Sequence, residues 1–145
     1  MRKPKQQLLA KEFEVEKEFG GAHLKKSHAK KARPIPTKKS MHLTLRSSKA
    51  KGERSLRRNE NRIQKIESVV RTQARKFGIE IFRYANVGNH LHMLVQASYR
   101  RGFISFLKAI SGLIARIALG AEKGMPKLTE TAQFWDQRPW TRVLL

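Results

Sequence analysis

The chain has 145 residues, with 32 Lys and Arg against 11 Asp and Glu, five His and no Cys, for a formal net charge of +21. That length fits one domain, and the absence of Cys excludes a disulfide scaffold, a thiolate metal site and a cysteine nucleophile. So large a charge repels itself unless a polyanion neutralises it. Nucleic acid is the default partner, because counterions released from phosphates drive such binding.

The longest apolar run, 109–121, is short for a membrane span and carries Arg116. The charged N-terminus lacks the apolar stretch of a secretory signal. No membrane association is expected.

Residues 1–40 hold 12 Lys and Arg and four acids, with Pro34 and Pro36 near the end. A short helix is predicted over 8–19, stopped by Gly20 and Gly21. The rest reads as a basic, largely disordered arm that grips phosphates, and the arm as a whole is set at 1–39. Next, Met41-His42-Leu43-Thr44-Leu45-Arg46 alternates and predicts a strand. Met41, Leu43 and Leu45 take one face, and His42, Thr44 and Arg46 the other. After a polar loop, the spacing of Leu56, Ile63, Ile66, Val70 and Phe77 predicts a helix over 53–77, with Gly78 as its stop.

Two β-rich runs, 79–86 and 90–97, flank Val87-Gly88-Asn89 and predict a hairpin. A second helix is predicted over 103–119, with Phe103, Phe106, Leu107, Ile110, Leu113, Ile114 and Ile117 on a wide apolar face. A last strand is expected at 142–145. The order strand, helix, strand, strand, helix, strand implies an α+β fold. Its expected form is a ferredoxin-like antiparallel sheet with two helices on one face, preceded by the basic N-terminal arm. The expected compact domain is 40–145. Its apolar end, Val143-Leu144-Leu145, suggests that more protein should follow.

His90 and His92 lie two apart on a predicted strand, so both project from one face. Their imidazoles can converge on one divalent ion while Leu91, Met93 and Val95 face the core. The pair alone is weak evidence for a metal site, and its spacing better fits two partly buried imidazoles hydrogen-bonded to the sheet.

The segment Val87-Gly88-Asn89-His90-Leu91-His92-Met93-Leu94-Val95 resembles the HUH motif (His, hydrophobic, His) of single-tyrosine transposases, both the insertion-sequence enzymes and the REP-associated ones. Met41 to Arg46 is similar to that family's first strand, 103–119 to the helix after the motif, and Phe134-Trp135 with Arg138 to its Trp-and-Arg segment. The resemblance covers 40–145. It implies DNA transposition. His90 and His92 would be metal ligands for Mg²⁺ or Mn²⁺, and the substrate single-stranded or hairpin DNA at element ends. Cleavage and rejoining in the family pass through a 5′-phosphotyrosine. The family's attacking Tyr lies on a helix downstream of the Trp-and-Arg segment, and the sequence ends before that helix. Tyr84 and Tyr99 do not match its position and read as packing or stacking residues. The domain is therefore expected to be cut short, and strand cleavage by this chain is not expected.

DNA contacts are expected from His42, Arg46, Arg83, Arg100, Arg101, Lys108, Arg138 and Arg142, since arginine can grip phosphate bidentately. Trp135, Trp140 and Tyr99 stand beside arginines, which suits unstacked bases, although core packing serves the tryptophans as well. Gln96 shares the His92 face as a strand-end amide. A homodimer is left open, and the cytoplasm is the expected compartment, at the nucleoid when DNA is bound. The alternative is a non-catalytic basic DNA- or RNA-binding module. Sheet-face aromatics would mark it, and Phe82 and Tyr84 are the pair that alternation puts on one face, although their spacing does not match that module's motif.

Overall fold

Strict alternation along two strands sets the architecture. In β2 (Met41–Arg46), Met41, Leu43 and Leu45 are buried while His42 and Thr44 are half-buried and Arg46 is exposed. In β4 (His90–Ala97), Leu91, Met93, Val95 and Ala97 are buried and the residues between them are partly exposed. Each strand thus gives one apolar row to a core and one polar row to the opposite face. The structure, a computed structural model, describes residues 19–20, 33–120 and 134–144.

The other elements are β1 (Phe19–Gly20), a 3₁₀ turn (Gly52–Arg54), α1 (Glu60–Lys76), β3 (Ile79–Asn86), α2 (Arg100–Leu119) and β5 (Trp140–Val143). The sheet runs β1-β5-β2-β4-β3, and every paired neighbour is antiparallel. The four longer strands have the expected ferredoxin-like order, and α1 and α2 pack together over the apolar face. Phe103, Phe106, Ile110 and Ile114 of α2 and Ile66 and Val70 of α1 are fully buried there. By length and composition α2 would suffice to cross a membrane, but its apolar stripe is spent on this core.

The element boundaries shift for local reasons. The first helix begins at Glu60, because the Asn59 side chain accepts the Arg62 backbone N–H at 2.8 Å as an N-cap. Leu56 belongs instead to the hairpin: its N–H donates to Gly88 O at 2.9 Å and its carbonyl accepts from Asn86 Nδ2 at 3.0 Å. The second helix starts at Arg100, after an extended Tyr99, and ends at a left-handed Gly120. The last strand spans Trp140–Val143, slightly before its expected place.

Contacts also reach into the stretch read as an arm. Ile35 packs on the core, Arg33 Nη1 donates to Thr141 Oγ1 at 3.0 Å, and Phe19–Gly20 pairs with β5. The helix expected over 8–19, and the rest of 1–32, lie outside the described residues apart from that short strand.

Two stability predictions follow from the packing of α2 and β3. A Cβ added at Gly102 would lie 2.4 Å from the Phe77 carbonyl oxygen and 2.6 Å from Tyr99 Cζ, whereas one at Gly112 would meet nothing within 4 Å. Urea denaturation should show Gly102→Ala destabilised by about 1–3 kcal/mol. Gly112→Ala should be stabilised by up to about 1 kcal/mol through helix propensity. The reverse order would mean that α2 does not pass this close to Phe77.

Tyr84 packs beneath α1, with its hydroxyl buried and without a hydrogen-bond partner among the described residues. Burial, and then the charge of Glu67, push its pKa up to about 12. An unfolded tyrosine ionises near pH ~10, so between those values the unfolded chain gives up its proton first and the fold loses stability as pH rises. Tyr84→Phe should be at least as stable as the parent at neutral pH, and its margin should widen between pH 9 and 12 in urea titrations. A narrowing margin would overturn this placement.

Candidate functional site

The polar rows of β2 and β4 meet in register on the face away from the helices. Thr44 stands opposite His92, Arg46 opposite His90, and His42 opposite Leu94. Three imidazoles gather there. His90 and His92 meet edge to face with ring centroids 4.5 Å apart. The rings of His42 and His92 are nearly parallel, tilted by 14°, with centroids 5.2 Å apart. His42 Nε2 is 3.1 Å from His92 Nδ1, and Thr44 Oγ1 is 3.2 Å from the same nitrogen. His90 Nδ1 lies 2.5 Å from Asn89 Oδ1. An amide oxygen only accepts, so His90 carries its proton on Nδ1 and keeps a lone pair on Nε2.

Burial, followed by the neighbouring His90 and His42, holds the His92 imidazole below the ordinary histidine pKa. That favours the neutral ring, which is the form able to bind a metal. The donor set therefore fits a divalent ion at two points, the Nε2 atoms of His90 and His92. Among the described residues no cluster of three or more His, Cys, Asp or Glu forms a complete ligand set.

The turn that delivers His90 is pinned from several sides. The Asn86 side chain accepts from Gly88 N–H at 3.0 Å and donates to the Leu56 carbonyl, while Arg57 Nη1 donates to Asn86 O at 2.8 Å. Gly88, at φ +99°, supplies the backbone twist that an L side chain resists. Beside it, Asn89 O accepts from Ser47 N–H at 2.9 Å.

A second clamp closes the same end of the sheet. Asp136 Oδ1 accepts from Ser48 N–H at 2.8 Å and from Ser48 Oγ at 2.7 Å, and Asp136 N–H donates to Arg46 O at 3.0 Å. Ser47 Oγ donates to Phe134 O. Nothing in the sequence pattern flags Asp136, whose partners Ser48 and Arg46 are distant in the chain, and only the turn chemistry around Gly88 hints at Asn86.

The basic residues divide between places. Arg46, Arg83 and Arg142 are exposed on the imidazole face, paired across strands with His90, Leu94 and His42 respectively. Arg138 is exposed in the loop before β5. Arg100 and Arg101 open α2 beyond the far end of β4, where Arg100 Nη1 donates to Arg33 O at 2.6 Å. Burial, then Arg138 and Arg100, lowers the Arg33 pKa. Lys108 is exposed on α2, in the helix layer and thus across the sheet from the imidazoles. Gln96 Nε2 donates to Thr37 O at 3.1 Å.

The aromatic residues also separate. Trp135 packs on the core and its indole N–H donates to Ser111 O at 2.9 Å. Trp140, half-buried, meets His42 edge-on at 6.1 Å between centroids. A register shift between Ile81 and Arg83 breaks the alternation of β3. Phe82 is left exposed while Tyr84 goes under α1, so the two do not form a stacking platform on the open face. Tyr99 packs against Gly78 at the end of β4 opposite to His90, seven positions from His92 and so roughly 20 Å away at strand rise. Neither tyrosine reaches the imidazoles.

Comparison with known proteins identifies a shared fold and a family. A solved structure from Deinococcus radiodurans R1, provisionally described as a transposase, shares the fold with a TM-score of 0.51 at 21% identity, over 81% of this chain and 85% of that one. No curated protein matches the sequence. The family described as "Transposase IS200 like" matches residues 37–142, which takes in the whole imidazole face. That span is well over half of the sequence, and the chain belongs to the IS200-like transposases.

Proposed function

We propose that this chain binds single-stranded or hairpin DNA at the ends of a mobile element and holds Mg²⁺ or Mn²⁺ through His90 Nε2 and His92 Nε2. DNA transposition is the process its family serves. The observation that carries the finer reading is the pairing of two imidazoles on one open sheet face, with the Nδ1 side of each engaged by the protein. An ion there would add positive charge at a bound phosphate. Arg46 and Arg83, on the same face, would hold flanking phosphates. The domain from residue 40 onward carries these contacts, and 1–39 adds sequence-independent grip through its charge. The reading assigns no strand cleavage to Tyr84 or Tyr99. It holds for one chain or for two paired copies, in the cytoplasm and on the nucleoid when DNA is bound.

Titration of Mn²⁺ into the wild type and a His90→Ala/His92→Ala variant tests the ion site. Binding should weaken at least about tenfold in the variant, and indistinguishable binding would remove the claim. For DNA, affinity for a hairpin with a single-stranded flank should exceed that for a plain duplex of equal length. Arg46→Ala should lower the slope of log affinity against log salt by about one, whereas Lys108→Ala should change it little. Equal effects of the two substitutions would place the DNA elsewhere.

A further inference from the structure

The two imidazoles of the proposed ion site are not held alike. His90 faces an acceptor-only amide oxygen, which settles its tautomer. His92 faces a third imidazole, and two ring nitrogens 3.1 Å apart need one proton between them. With 5.2 Å between centroids and 3.1 Å between the nearest nitrogens, the rings meet edge to edge, as a ring-to-ring hydrogen bond requires. That proton has two possible homes. On His92 Nδ1, it leaves the His92 Nε2 lone pair free for a ligand. On His42 Nε2, it forces the proton of a neutral His92 onto Nε2, and the ligand atom is blocked.

We propose that His42 is a positioning residue: its Nε2 accepts the His92 Nδ1–H and so fixes the tautomer in which His92 can bind an ion. His42 is then no ligand itself, since the nitrogen it turns toward the cluster is already used. Thr44 Oγ1, 3.2 Å from His92 Nδ1, acts as an auxiliary acceptor on the same side. Trp140, edge-on to His42 from the neighbouring strand, limits how far that ring can swing. The inference rests on the ion site proposed above, but its first test needs no ion.

Long-range ¹H–¹⁵N correlation spectra of the full chain without metal, recorded where the imidazoles are neutral, report which nitrogen of His92 carries the proton. The expected result is a proton on Nδ1 in the wild type. It should be kept in His42→Gln, which offers an amide oxygen, and lost to a tautomer mixture in a His42→Leu/Thr44→Val double variant. In parallel, Mn²⁺ affinity should fall about tenfold or more in the double variant and stay within about threefold in His42→Gln. A His92 proton on Nε2 in the wild type would overturn the proposal, as would an unchanged tautomer and Mn²⁺ affinity in the double variant. Circular dichroism of each variant separates these effects from loss of fold. If the wild type shows the Nδ1 proton but binds no Mn²⁺, the ion site fails while the role of His42 in setting the tautomer stands.

Discussion

The pairing of β2 with β4 is the constraint on which the site depends. Side chains on a strand alternate, so the pairing that sets Leu43 beside Met93 and Leu45 beside Leu91 also sets Thr44 beside His92 and Arg46 beside His90. A slip of one residue would turn imidazoles into the core and leucines to solvent. The buried row thus enforces the register, and the polar row inherits it. Burying a Leu or Met side chain is worth roughly 1.5–3 kcal/mol, more than the imidazole contacts could supply for themselves. The imidazole face is accurately placed because the apolar face is stable.

The loops that frame this face are held by hydrogen bonds to backbone. Asn86 ties the hairpin turn to Leu56, and Asp136 ties the segment before β5 to Ser48 and to the Arg46 backbone. Trp135 belongs to the same construction, bound to α2 through Ser111. Aromatic and acidic residues that lie close to basic ones in sequence therefore serve as braces. A face that carries several arginines needs such bracing, because cations crowded together repel and would splay an unsupported loop.

What the sequence disclosed divides by range. Alternation in 41–46 and 90–97 and the helical stripes have periods of a few residues, so they could be read directly, and the shared face of His90 and His92 with them. The Gly88 turn was legible for the same reason. The proximity of His42 to His92 was not, since it spans 50 positions and depends on which strands become neighbours. Leu56 fitted the helical stripe, yet two hydrogen bonds to the hairpin hold it outside the helix, and Asn59 supplies the later start. Phe82 and Tyr84 matched a period of two, and an irregularity at Phe82, between Ile81 and Arg83, cancelled it. In each case a tertiary hydrogen bond or an irregular pairing outweighed a local pattern.

Electrostatics links the two halves of the proposed function. The chain carries a formal charge of +21, and the imidazole face presents Arg46, Arg83 and Arg142 beside its histidines. On the proposed reading, a divalent cation approaching that face alone would meet repulsion and two imidazole ligands. A DNA strand crossing the same face brings negative charge and phosphate oxygens, which Mg²⁺ and Mn²⁺ favour as ligands. Each would therefore lower the cost of binding the other, and linkage makes such an effect reciprocal.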